Sequence, residues 1–265
     1  MSEKLHILIT GGSQGLGKAL ADECARRGMH LLLVALPDPE LEKTAEDLRK
    51  KYGVEVDVLG IDLTEKEAPR EVYDWCRKKN YRVNTLINNA GMAGTAEFDC
   101  SSLEYSDQRI QVNIRALALL TRLFIPEMKK LDAAYVLNIG SMAGFCGIPY
   151  KSIYSASKAF VVEFTKALRY ELKDSSIKLS VVCPSGIRSN EKAGERIEAH
   201  GFIGKWTELP IEKIARISID QLLKGKLMAI PGFINKVIFY IGRMLPKRLA
   251  LRLLSREFKK ELISK

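Results

Sequence analysis

The sequence predicts an α/β fold, a doubly wound parallel sheet of about seven strands in a single domain with a C-terminal helical extension. Three observations carry this expectation. Short apolar runs alternate with amphipathic segments of helical length. Inner runs such as Leu31-Leu32-Leu33-Val34 are apolar throughout, as strands covered on both faces are. Glycine-rich or polar turns follow the carboxyl ends of several runs, where sheets of this kind bind ligands.

Taken in order, Leu5–Thr10 reads as the first strand, followed by a glycine-rich turn and a helix over about 15–28. His30–Leu36 is the second strand. Pro37-Asp38-Pro39 opens the next helix, with Asp38 as N-cap and Pro39 at the first helical position. Val54–Ile61 is the third strand, and Thr64 is expected to cap the helix after it. Thr85–Asn89, Ala134–Gly140 and Leu179–Cys183 supply three more strands, and Lys226–Ile230 a seventh. Long helical patterns over about 102–130 and 153–173 separate them. No repeat or low-complexity linker breaks the series, so residues 1–231 read as one domain and 232–265 as a basic amphipathic extension.

Composition excludes several classes. The 265 residues are 46% apolar, enough to bury a sizeable core. Five cysteines, without a C-x-x-C, suggest reduced thiols in a cytoplasmic protein. Cys146 is expected as a small core filler. His6, His30 and His200 are scattered, so no metal site is expected. Residues 1–4 run directly into a strand pattern, without a basic region followed by a long apolar stretch, so no secretory leader is expected. The net charge is +10, of which +9 falls after Leu223, where eleven Lys or Arg meet two Glu. A nearly neutral body with a basic tail is not the footprint of a nucleic-acid-binding domain.

Between the first strand and first helix stands Thr10-Gly11-Gly12-Ser13-Gln14-Gly15-Leu16-Gly17. Glycines let the backbone turn sharply and approach a pyrophosphate, and the helix N-terminus offers N–H groups and a positive dipole end. The spacing G-x-x-x-G-x-G departs from the usual G-x-G-x-x-G, and alone it is also compatible with a plain turn. Asp62-Leu63 ends the third strand and would hold an adenine, or else form a helix-entry turn. Asn88-Asn89-Ala90-Gly91 ends the fourth, where a dinucleotide would extend, or forms a polar turn.

Tyr154 and Lys158 are spaced i, i+4 and share one helix face. A phenol has a pKa near about 10, and bringing it to about 7 takes about 4 kcal/mol. A cation about 4 Å away at an effective dielectric of about 20 supplies roughly that much. The pair is thus a sensible proton-exchange device, although such pairs are common on solvated helices. Ser141 ends the fifth strand and would hydrogen-bond a substrate carbonyl oxygen. Asn113, on the helix after the fourth, would hold a water that relays protons to Lys158.

Together these residues resemble the short-chain dehydrogenase/reductase family over about residues 5–231. The likeness rests on Thr10-Gly11-x-x-x-Gly15-x-Gly17, Asp62, Asn88-Asn89-Ala90-Gly91, Asn113, Ser141, Tyr154-x-x-x-Lys158 and Pro184-x-x-x-x-Ser189. Within the family the chain is similar to bacterial carbonyl reductases related to hydroxysteroid dehydrogenases and ketoacyl reductases. The resemblance implies a Rossmann-type fold and a catalytic tetrad of Asn113, Ser141, Tyr154 and Lys158. In it Tyr154 exchanges the proton, Ser141 orients the substrate oxygen, and Lys158 binds the nicotinamide ribose and lowers the Tyr154 pKa. It also implies an NAD(P) site built from Gly11, Ser13, Gln14, Gly15, Leu16, Gly17, Asp62, Leu63, Asn89, Ala90, Gly91, Tyr154, Lys158, Pro184, Ile187 and Ser189. A homo-oligomer formed through the two long helices is implied as well.

Two departures stand out. Pro184 is followed by Ser185 where the family usually has Gly. At the end of the second strand the positions that usually choose the cofactor are Ala35 and Leu36, neither charged. With no carboxylate to repel a 2′-phosphate, NADP is slightly preferred over NAD. A catalytically silent cofactor sensor or scaffold on the same fold is the alternative. Near the pocket, Met92-Ala93, Phe145–Tyr150, Phe202-Ile203 and Trp206 suggest a lipophilic carbonyl or alcohol, or simply pack the core. The segment 187–206 is expected to be a mobile lid. Residues 233–258 interleave aromatic and aliphatic side chains with Lys and Arg, and Pro246 should divide them into two helices. This pattern suits peripheral contact with an anionic membrane, or packing against the domain or a second subunit.

Overall fold

In the computed structural model, which describes residues 4–188, 194 and 206–263, a parallel sheet runs in the order β3-β2-β1-β4-β5-β6-β7. Its strands are β1 (Leu5–Thr10), β2 (His30–Ala35), β3 (Val56–Gly60), β4 (Arg82–Asn88), β5 (Ala134–Ile139), β6 (Ile177–Val182) and β7 (Met228–Ala229). The order reverses beside β1, whose neighbours are β2 and β4. The crevice at this reversal is where open α/β sheets receive ligands. Leu31, Leu32, Leu33 and Val34 are fully buried, because helices cover both faces.

On one face lie α1 (Gly15–Arg26), α2 (Pro39–Tyr52) and α7 (Ile211–Leu223), which close a core around Ile9, Leu31 and Leu33. On the other, α3 (Ala68–Lys78) and α5 (Leu117–Met128) pack Val72, Leu120 and Phe124 against Leu8, Leu32 and Leu86. The long helix α6 (Ser152–Glu171) runs beside β6 and joins a third apolar cluster through Val161 and Val162. Asp38 caps α2 as expected, its carboxylate accepting from Leu41 N–H at 3.0 Å, with Pro39 in the first turn.

Four expectations need correction. Thr64 does not cap α3: its N–H donates to the Asp62 carboxylate at 2.9 Å in a tight turn, and α3 starts four residues later at Ala68. The helix expected over 102–130 is not uniform. It comprises α4 (Leu103–Ile110), a π-helical stretch at Gln111–Ala116 and α5. Apolar spacing does not register the extra residue that such a wider turn accommodates. Cys146 is exposed rather than in the core, because it follows the short 3₁₀ turn Met142–Phe145, where the chain crosses the surface. The seventh strand pairs over only two residues, at the sheet edge.

Past β7 the chain forms α8 (Phe233–Met244) and α9 (Lys247–Ile263), divided at Leu245-Pro246 as expected. Leu245 is extended, and Pro246 lacks the N–H that would continue α8. Asn235 anchors α8 by donating to the Thr207 and Pro231 carbonyls, and Phe239 lies edge-on to Phe145 with ring centroids 4.6 Å apart. No helix among the described residues is long and apolar enough to cross a membrane.

Candidate active site

The glycine turn after β1 is held by its neighbour across the switch point. Thr10 Oγ1 accepts the N–H groups of Asn89 and Ala90, both at 3.0 Å. Asn89 Nδ2 returns to the carbonyls of Thr10 and Gly11. Gly11 and Gly15 have φ of +66° and +54°, which glycine adopts without strain. At Gly17 an added Cβ would lie 1.8 Å from the Gly11 carbonyl oxygen, so any side chain breaks the turn. Thr44 fixes the far side by donating its hydroxyl to Ser13 O at 3.1 Å.

What remains open is a helix end. Among the described residues no side chain caps α1, whose N-cap is the exposed Gln14, and its first turn holds no carboxylate. Its N-terminal N–H groups and positive dipole end therefore suit an anionic diphosphate. Leu16 and Leu63 point into the core, so only their backbone would serve a nucleotide. Asp62 spends one carboxylate oxygen on the helix-entry turn. At the end of β2, Ala35 is buried, Leu36 is exposed, and Asp38 is turned onto its own helix. Pro184 O accepts from Met142 N–H at 2.9 Å, and Ile187 packs on the core. Ser189, Phe202 and Ile203, and the lid segment from 189 onward except Gly194 and Trp206, lie outside the described residues.

Lys158 and Asn113 meet at Gly91. A Cβ there would be 3.2 Å from Asn113 Oδ1 and 3.5 Å from Lys158 Nζ. Asn113 sits in the π-helical stretch, a feature frequent at functional sites. Its side chain accepts from Met92 N–H at 2.7 Å and donates to Met92 O and to Ser157 Oγ. It thus clamps the Gly91-Met92 wall, and its side chain is largely engaged for any water relay.

Lys158 is only 6% exposed, and its Nζ donates to Ile139 O at 2.8 Å. Burial pushes its pKa down to about 8. The neighbouring Cys183 thiol, pushed up to about 12 by burial, is neutral and adds no counter-charge. Lys158 Nζ lies 5.9 Å from the centre of the Tyr154 ring, at the outer reach of a cation–π contact. Ser141 begins the 3₁₀ turn, where its hydroxyl oxygen accepts from Ala143 N–H at 3.1 Å. That turn abuts α6: a Cβ on Gly144 would lie 2.6 Å from Lys158 O. Tyr154 opens onto a narrow cleft lined also by Gly94, Ala96, Tyr105, Tyr150 and Lys151. Of the residues expected there, Tyr150 lines it, while Met92, Ala93, the stretch 145–149 and Trp206 do not.

Asn88, read in the sequence as part of a turn toward the dinucleotide, is instead core structure, bonded to Thr121 and Asn138, and Asn138 continues to Thr165. Sequence reasoning missed these three partners. This buried ladder ties β4 and β5 to α5 and α6, and no local pattern signals it. Ser157 and Gly144 are likewise visible only in contact.

A model of the short chain dehydrogenase family matches residues 5–199. The chain is 34% identical to a very-long-chain 3-oxoacyl-CoA reductase from Anas platyrhynchos, over 67% of this chain and 58% of that protein. It is 32% identical to sulfoacetaldehyde reductase 2 from Chromohalobacter salexigens, over 80% of this chain and 85% of the other. The chain thus spans less than two thirds of the oxoacyl-CoA reductase it matches. Among solved structures, a short-chain dehydrogenase from Sphingobium yanoikuyae in complex with NADPH aligns with a TM-score of 0.77 and 30% identity. The alignment covers 90% of this chain and 93% of that one.

Proposed function

This chain belongs to the short chain dehydrogenase family, and we propose that it is an NAD(P)-dependent oxidoreductase interconverting an alcohol and a carbonyl, with Tyr154 as acid/base. The observation that carries this is the meeting of Asn113 and the buried cation of Lys158 at Gly91, one helical turn from Tyr154 and beside an uncapped helix N-terminus.

Gly11, Ser13, Gln14, Gly15 and the backbone of Leu16 and Gly17 would hold the dinucleotide phosphates, and Asn89, Ala90, Gly91, Pro184 and Ile187 would line its path. When bound, the dinucleotide supplies or takes up the hydride. Tyr154 gives its proton to the substrate oxygen in reduction and accepts it in oxidation. Ser141, whose oxygen already accepts Ala143 N–H, keeps its O–H to donate to the same oxygen. Lys158 uses one N–H on Ile139 and keeps two for the ribose hydroxyls. Its buried charge, one helical turn away, favours the tyrosinate. Asn113 keeps the Gly91-Met92 wall in place.

NADP is slightly preferred over NAD, because neither Ala35 nor Leu36 offers a carboxylate to ribose and Asp38 is committed to capping α2. The substrate is a lipophilic carbonyl or alcohol. A homo-oligomer through the long helices belongs to the same reading, as does a cytoplasmic enzyme that touches a membrane. Phe233, Val237, Tyr240, Ile241 and Met244 form one exposed face of α8, opposite the buried Asn235 and Phe239. Lys236 and Arg243 border one edge of this face, and the tail around it carries +9. An apolar face bordered by cations matches an anionic bilayer surface.

Oxidation of NADPH and of NADH with a panel of short and bulky ketones tests the reading. Turnover that Tyr154→Phe abolishes supports it, and cofactor binding without turnover of any carbonyl favours the silent sensor.

A further inference from the structure

Glu261, at the far end of the chain, is 3% exposed. A carboxylate is seldom buried to this degree without close partners. Its partners are the two rims of the Tyr154 cleft. Lys151 Nζ lies 2.8 Å from Glu261 Oε2, and the Thr95 hydroxyl donates to the same oxygen. Thr95 falls between Gly94 and Ala96, which line one side of the cleft. Lys151 lines the other side and is the N-cap of α6, three residues before Tyr154. The rims also touch directly, through Ala96 N–H to Tyr150 O at 2.9 Å.

The rest of α9 follows the same course. Lys151 Nζ sits 4.8 Å from the centre of the Phe258 ring, and Leu251 comes against Gly147. Together with Phe239 on Phe145, these contacts lay the C-terminal helices along the segment 145–151 that leads into Tyr154. A buried ion pair is poor evidence for added stability, since desolvation offsets much of the attraction. Its better attested use is to fix one arrangement among several. Here that arrangement is the seat of α9 on the two segments, already joined to each other, that border Tyr154.

We infer that Glu261 is a specificity-determining positioning residue: by binding Thr95 and Lys151 at once it seats α9 on the two segments that border Tyr154 and so sets which carbonyl reaches that side chain. This rests on the proposed role of Tyr154. It assigns to the tail a task at the active site, distinct from its outward apolar face.

The test uses the full chain. Glu261→Ala should at least halve hydrogen-exchange protection of both 93–98 and 247–262. It should also lower the ratio of kcat/KM between a small and a bulky ketone, or invert it, by roughly tenfold. NADPH affinity and kcat for the small ketone should stay within about threefold. The double variant Lys151→Met with Glu261→Met, which leaves no unpaired buried charge, should recover protection and most of the discrimination. Unchanged discrimination and protection in Glu261→Ala would overturn the inference. So would equal loss for every ketone together with loss of NADPH binding, because that marks general damage to the fold. Should Glu261→Ala fail to fold, the wild-type exchange decides: the two segments must open with one free energy, and independent opening refutes the clamp. If the wild-type protein reduces no carbonyl at all, the enzymatic reading fails. The exchange data then still report whether the clamp exists.

Discussion

Lys158 Nζ donates to the backbone carbonyl of Ile139 at 2.8 Å, which anchors the site's buried cation to the last residue of β5. The contact explains how a lysine stays in place with 6% exposure. The carbonyl replaces part of its hydration, and burial still lowers its pKa to about 8.

That depression makes a stability prediction. The unfolded lysine holds its proton to higher pH than the folded one, so the folded state is penalised while Lys158 is charged. The penalty is complete below about pH 8 and fades as pH rises from about 8 towards the ordinary lysine value. Lys158→Met should therefore stabilise the protein by about 1 kcal/mol at pH 7, after subtracting the lost bond to Ile139. The gain should shrink above pH 8, and the variant should be inactive. Denaturant melts at pH 7 and pH 9.5 measure this. A variant less stable than wild type at pH 7 contradicts the assignment.

Tyr154→Phe removes only the exchangeable proton. Turnover should fall by roughly 10²–10⁴, the usual scale for a positioned acid/base, with NADPH affinity nearly unchanged. Steady-state kinetics and a fluorescence titration check both parts, and near-normal turnover refutes the mechanism.

The glycine turn predicts an asymmetry. Gly17→Ala puts a Cβ 1.8 Å from Gly11 O and should abolish dinucleotide binding and lower Tm by several degrees. Gly28→Ala meets nothing within 4 Å and has only the left-handed backbone at φ +77° to contend with, a loss of about 1 kcal/mol. Thermal melts and NADPH titration of the two variants should differ in this sense. Equal effects would show that the turn does not approach Gly17 as described.

The exposed face of α8 predicts sedimentation with anionic vesicles at low salt and release at high salt. Phe233 and Met244 are 81% and 85% exposed, so replacing both with Ser should leave the fold intact and abolish co-sedimentation. A wild-type protein that stays in the supernatant defeats the membrane reading. A drop in oligomer size on the same substitutions would assign the face to a second copy of the chain.

The sequence by itself determined the alternation of strands and helices, the glycine turn, the Tyr154–Lys158 spacing and the break at Pro246. Each is written in residues close along the chain, where periodicity and backbone preference act directly. Tertiary structure alone decided which groups share a surface. Asn113 and Lys158 are 45 positions apart and meet only because β4 and β5 are neighbours and a π-helical stretch carries Asn113 to Gly91. Thr64 and Cys146 took places that local pattern did not foretell, because a carboxylate two residues upstream and the path of a short turn outweighed propensity. Glu261 and Thr95, 166 residues apart, share a buried hydrogen bond that nothing in either segment announces. Such contacts depend on how whole elements pack, and packing free energy is summed over the entire fold rather than encoded in any one stretch.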